Sequence, residues 1–134
     1  MKVTKVNHIG IAVNSIDEAV KLYTEVLGLK VSHIEVVTDQ KAKTCIIPVG
    51  DTKIELIEST APDGTIANFI AKKGEGLHHI ALEVSDVQES LDTLTKKGIT
   101  LIDTKPRRGV DNTNIAFLHP KNTKILLELV EPGK

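Results

Sequence analysis

The chain has 134 residues, 40% of them apolar and 26% charged, with a formal net charge of −1; this fits one soluble globular domain or two small modules sharing a core. Near-neutral charge with two Phe, one Tyr and no Trp excludes a general nucleic-acid or anionic-membrane partner, because neither a cationic surface nor a base-stacking platform is available. No apolar run reaches the length of a membrane span, no secretory pattern opens the chain, and the single Cys45 cannot form an internal disulfide, so a reducing cytoplasm is the expected location.

Val3 to Val13 reads as the first strand. Its alternation sends Ile9, Ile11 and Val13 to one face and His8, Gly10 and Ala12 to the other. Asn14 is the expected N-cap of a helix with Asp17 in its first turn. Ile16, Ala19, Val20, Tyr23, Val26 and Leu27 then recur at helical spacing until Gly28. Three strand segments follow, Leu29 to Val37, Thr44 to Val49 and Thr52 to Glu58, with Gly50-Asp51 as a tight turn between the last two. Cys45 lies in an apolar run and reads as a buried thiol. Glu55 interrupts another apolar strand, where an unpaired carboxylate is costly to bury. Ser59 to Gly76 connects the halves through Pro62, Gly64, Gly74 and Gly76, with a short helix around Ile66, Phe69 and Ile70.

The second half repeats the first. Leu77 to Val84 reads as a strand, Ser85 and Gln88 have capping-box spacing, Val87, Leu91 and Leu94 make the apolar stripe, and Gly98 stops the helix. Ile99 to Asp103, Asn114 to Leu118 and Lys124 to Glu131 are the remaining strands, the last two joined by a turn at His119 to Asn122. The expected fold is therefore α+β: two paired βαβββ modules, residues 1–59 and 77–134 around a connector at 60–76, forming an eight-stranded mixed sheet around a cleft.

His8 and His79 stand 71 positions apart, and Glu55 and Glu128 stand 73 apart. A repeat that carries the same polar residues within apolar strands brings them together. Two imidazoles and two carboxylates form a ligand set for a divalent metal. A buried His–Glu hydrogen-bond network without metal is the competing reading. His78 faces away from His79, His33 lies on an edge strand, His119 lies in a turn, and Glu58 and Glu131 point away from Glu55 and Glu128.

Four stretches carry a likeness to known proteins: residues 6–13, residues 50–56, Gly74-Glu75-Gly76-Leu77-His78-His79-Ile80-Ala81, and Ile115-Ala116-Phe117-Leu118-His119-Pro120-Lys121. On them the chain resembles the vicinal oxygen chelate superfamily and, within it, the methylmalonyl-CoA epimerase family over nearly its whole length. The resemblance puts the metal ligands on His8, Glu55, His79 and Glu128, and implies an acyl-CoA substrate epimerised at its α-carbon through an enolate. Four protein ligands with two open positions favour Co²⁺, with Mn²⁺, Ni²⁺ or Zn²⁺ as alternatives. Inversion requires proton delivery to either face; Glu128 is the first catalytic candidate, Glu55 the second and Lys43 the third. Lys105, Arg107 and Arg108 are the candidate CoA-phosphate cluster, and unpaired sheet edges point to a homodimer. The chain departs from the family pattern at Arg107 to Thr113, at Lys124, and at Thr44, near which some epimerases carry a carboxylate. Glyoxalase I is the rival enzyme; a metal-dependent thiol transferase and a metal-free sequestering protein are further alternatives.

Overall fold

The computed structural model describes residues 1–133. Among these, the strands are β1 (Val3–Ala12), β2 (His33–Val37), β3 (Ala42–Val49), β4 (Thr52–Ser59), β5 (Gly76–Val84), β6 (Arg107–Arg108), β7 (Asn114–Leu118) and β8 (Leu127–Glu131). The helices are α1 (Ile16–Lys21), α2 (Thr65–Lys73), α3 (Val87–Lys96) and α4 (Pro120–Thr123). Hydrogen-bonded neighbours run β2-β3-β4-β1-β5-β8-β7-β6 in one eight-stranded sheet. The sheet is mixed because β5 and β8 are parallel while the other registered pairs are antiparallel. This is the α+β class expected from the alternating strand and helix periods. Chain contacts group into two compact units, Ile9–His78 and a second made of Met1–His8 with His79–Lys134. No helix of the described residues is long and apolar enough to cross a membrane.

In the Ile9–His78 unit, the register pairs Glu35 with Thr44, Ile46 with Glu55, and Thr44 with Ile57. Period-two alternation therefore puts Cys45, Ile47 and Leu56 on the opposite face, where they form a core with Val13, Ile16 and flanking Ala19, Val20 and Tyr23 of the helix region. α1 starts one residue later than Asn14 capping would give. Ser15 is extended and its side chain accepts from the Glu18 amide, while the Asn14 amide donates to Glu75. The Ile16 amide donates to a Glu58 carboxylate oxygen at 2.7 Å, so the glutamate on the far face of β4 closes the helix start. Beyond Lys21 the helix widens to π geometry over Leu22–Val26. Gly28 then turns at φ +72° and the Leu29 amide closes back on the Tyr23 carbonyl at 2.9 Å. That closure is why the expected strand from Leu29 begins only at His33.

The second unit is built the same way. Val87 and Leu91 of α3 form a core with Val84, Ala116, Leu118 and Leu129. The α3 cap is Asp86, one residue after the expected Ser85, and its carboxylate accepts from the Glu89 amide at 3.0 Å. A Glu131 oxygen accepts from the Val87 amide at 2.9 Å, matching Glu58 and Ile16. The strand expected at Ile99 to Asp103 is reduced to a bridge between Leu101 and Leu118. The Thr100 amide bonds to the Asn122 side chain, and the Ile102 and Asp103 amides both reach the Phe117 carbonyl, so no regular ladder forms. The edge strand is β6 instead. The turn at His119 is the short helix α4, its start capped by the His119 ring and its end turned by Lys124 at φ +70°; β8 begins after it, at Leu127.

Candidate metal centre

Three of the side chains singled out from the repeat meet within the second unit. His8 lies on β1, His79 on β5 and Glu128 in the middle of β8. Ala81 of β5 and Phe117 of β7 both register against Glu128. Period-two alternation then places His79, two residues before Ala81, on the same face as Glu128. The other face of these strands is closed by α3, which leaves this face to carry the polar groups. His8 Nε2 is 3.0 Å from His79 Nε2 and 3.3 Å from Glu128 Oε1. His79 Nε2 is 3.0 Å from the same Glu128 oxygen. The rings meet edge to face at 5.1 Å, and Phe117 packs edge-on against His79 at 5.8 Å. Exposures of 7%, 3% and 4% for His8, His79 and Glu128 keep water from competing for these atoms.

Burial by itself would raise the Glu128 pKa, but the hydrogen bond from His79 and the two imidazoles beside its Oε1 outweigh it and hold the carboxyl down at about 2. Glu128 is thus an anion at neutral pH, in a setting that a lone buried carboxylate would not tolerate. Two imidazole nitrogens and one carboxylate oxygen are borderline and hard donors of the kind divalent transition metals take. Adjacent donors about 2.1 Å from an octahedral ion stand about 3.0 Å apart, which is the spacing of this triangle. The residues fit a divalent metal.

The other candidates lie as follows. Glu55 belongs to the Ile9–His78 unit, is 5% exposed, and sits opposite Ile46 in the β3–β4 ladder. Lys43 pairs with Glu58, on the face of β3 opposite Glu55. Thr44 is buried and its hydroxyl donates to the Glu35 carbonyl. His33 bonds to Glu35 at 2.7 Å, and His78 meets Phe69 edge to face. Arg107 is held by Asp103 at 3.1 Å with its guanidinium 5.1 Å from the Phe117 ring centre, while Arg108 is exposed on edge strand β6. Asn7 is a further polar residue of the site, one that the repeat does not mark. It is 6% exposed, its Oδ1 lies 2.7 Å from His8 Nδ1, and its Nδ2 donates to Glu83 Oε1 at 2.8 Å. The available signal was a polar amide beside a histidine in an otherwise apolar strand.

A sequence profile described as the Glyoxalase/Bleomycin resistance protein/Dioxygenase superfamily matches residues 7–117. The chain is 43% identical over 129 residues to the uncharacterized protein YqjC of Bacillus subtilis, covering 96% of this chain and 92% of that one. It is 35% identical over 129 residues to the mitochondrial methylmalonyl-CoA epimerase of Dictyostelium discoideum, covering 95% and 78%. Among solved structures, a variant of Streptomyces coelicolor methylmalonyl-CoA epimerase in complex with 2-nitronate-propionyl-CoA superposes with a TM-score of 0.92 at 34% identity, covering 98% of this chain and 96% of that one.

Proposed function

We propose, from the premise that this chain belongs to the Glyoxalase/Bleomycin resistance protein/Dioxygenase superfamily, that it epimerises the α-carbon of methylmalonyl-CoA. The observation that carries this reading is similarity across nearly the whole chain to methylmalonyl-CoA epimerases, one of them solved with an acyl-CoA analogue. The buried His8, His79 and Glu128 cluster supports a metal-dependent form of the reaction. His8, His79 and Glu128 would hold the ion, and Glu55 joins them on the sequence repeat, as the counterpart of Glu128. Co²⁺ is the first choice of ion, ahead of Mn²⁺, Ni²⁺ and Zn²⁺. When bound, a divalent ion supplies Lewis-acid stabilisation for negative charge on carbonyl oxygens.

The α-proton of a malonyl-type thioester lies between two carbonyls, so its removal gives an enolate. Inversion then needs one group to take the proton from one face and another to return a proton to the opposite face. Glu128 suits the first role. Its Oε1 stands beside both imidazole Nε2 atoms, the buried carboxyl stays ionised, and its second oxygen can exchange a proton. Glu55 is the second acid–base candidate. Lys105, Arg107 and Arg108 are candidates for the CoA phosphates, with Arg108 the freer guanidinium because Arg107 is already engaged by Asp103. Assembly as a homodimer belongs to the same proposal, supported by exposed Ile34 and Val36 on edge strand β2; its mass in solution tests it.

The test is deuterium uptake. Co²⁺-loaded protein incubated with methylmalonyl-CoA in D₂O is expected to label the α-carbon and interconvert the epimers. Absence of labelling, with turnover of the glutathione hemithioacetal of methylglyoxal, would transfer the chain to the glyoxalase I reaction.

A further inference from the structure

We propose that Asn7 and Glu83 are positioning residues that set the tautomer of His8 and so turn the Nε2 lone pair toward His79 and Glu128. The inference rests on reading His8 as a metal ligand, and all its residues lie in the second unit. Glu83 lies on β5 two residues beyond Ala81, in the alternation that carries His79.

The argument follows hydrogen-bond polarity from one group to the next. A carboxylate accepts and does not donate, so the Asn7 group 2.8 Å from Glu83 Oε1 is its NH₂. That leaves Asn7 Oδ1, an acceptor, facing His8 Nδ1 at 2.7 Å. Nδ1 must therefore carry the proton. In a neutral imidazole the other nitrogen, Nε2, is then left with its lone pair, and Nε2 is the atom standing 3.0 Å from His79 Nε2 and 3.3 Å from Glu128 Oε1. Reversing the amide would set its oxygen against the Glu83 carboxylate and its NH₂ against His8 Nδ1. That arrangement moves the ring proton to Nε2 and blocks metal binding. Glu83 holds the amide the right way round, and at 6% exposure for Asn7 water is a poor substitute. Groups that orient ligand histidines through the second ring nitrogen are worth about 10–100-fold in metal affinity.

The experiment reads metal affinity and ring protonation, and neither requires turnover. Co²⁺ affinity is measured by calorimetry for the native protein, Asn7→Leu, Glu83→Leu, Asn7→Asp and the double variant Asn7→Asp with Glu83→Gln, each checked for an unchanged circular dichroism spectrum. The protonated nitrogen of His8 is read in the metal-free proteins by long-range ¹H–¹⁵N correlation. Asn7→Leu is expected to weaken Co²⁺ about 10–100-fold, with a smaller loss for Glu83→Leu. Asn7→Asp alone sets two carboxylates together and should also weaken binding. In the double variant the amide introduced at position 83 donates to the carboxylate introduced at position 7, whose other oxygen still accepts from His8 Nδ1–H, so affinity should return to within a few-fold of native. Native affinity in Asn7→Leu and Glu83→Leu, no recovery in the double variant, or an Nε2–H tautomer in the native protein would each overturn the relay. If the native protein binds no Co²⁺ while His8 carries its proton on Nδ1 only when Asn7 is present, the ligand reading fails and the hydrogen-bond relay stands.

Discussion

Glu128 shows what one buried charge does in this chain. Its neighbours on β8 are Leu127 and Leu129, and an apolar residue there would simply extend the core. Glu128→Gln keeps the volume and removes the charge; we expect Co²⁺ affinity to fall and α-proton exchange to drop by about 10²-fold or more, measured by calorimetry and by deuterium uptake. The same residue predicts a pH response of the metal-free protein. Its folded pKa of about 2 lies below the ordinary 4.5. Its contribution to stability is therefore complete above about 4.5 and is lost as pH falls from there toward 2. Acid titration followed by circular dichroism should show a shallower loss over that window in Glu128→Gln than in the native protein. Cys45 is 0% exposed, and burial pushes its thiol up despite the partial offset from Lys43. A thiol reagent is expected to label Cys45 only once denaturant opens the Ile9–His78 unit; prompt labelling of the native protein would contradict that burial.

At the level of elements, α1 and α3 both begin on paired devices. The Ser15 and Asp86 side chains satisfy one amide each in the first turn, and Glu58 and Glu131, reaching from β4 and β8, satisfy the Ile16 and Val87 amides. Asp86→Ala is expected to destabilise the protein by about 1 kcal/mol. Glu131→Leu leaves a part-buried amide unpaired, for which about 1–3 kcal/mol is expected. Leu91→Ala, on the buried face of α3 at 1% exposure, should lose about 2–5 kcal/mol. Urea midpoints compare all three. Both of these helices are legible in the sequence from their apolar period and terminal glycine. The sequence places each cap one residue early because strand and helix share the same short polar junction, and Asn, Ser and Asp are all competent caps. The segment at Ile99 to Asp103 has a strand's composition, yet two consecutive amides there converge on the Phe117 carbonyl. Nothing in local propensity distinguishes a ladder from that arrangement.

For the molecule as a whole, metal and stability are linked by mass action. A ligand present at a hundred times its dissociation constant and bound only by the folded state adds about 2.7 kcal/mol. Co²⁺ is therefore expected to raise the melting temperature and EDTA to lower it toward that of His79→Ala; an unchanged melting temperature with excess Co²⁺ would count against the metal centre. The sequence by itself determined the main strands and helices of both halves, though not Ile99 to Asp103 or α4, together with the α+β class and the faces on which the histidines and glutamates lie. Those follow from periods of two and 3.6 residues and from a repeat visible along the chain. Tertiary structure alone decided that a single Glu128 oxygen receives both imidazoles, that Asn7 stands between Glu83 and His8, and that Glu58 and Glu131 close helix starts. Each of those arrangements joins at least one pair of residues more than forty positions apart, and a linear pattern carries side-chain direction along one strand but not distance between two.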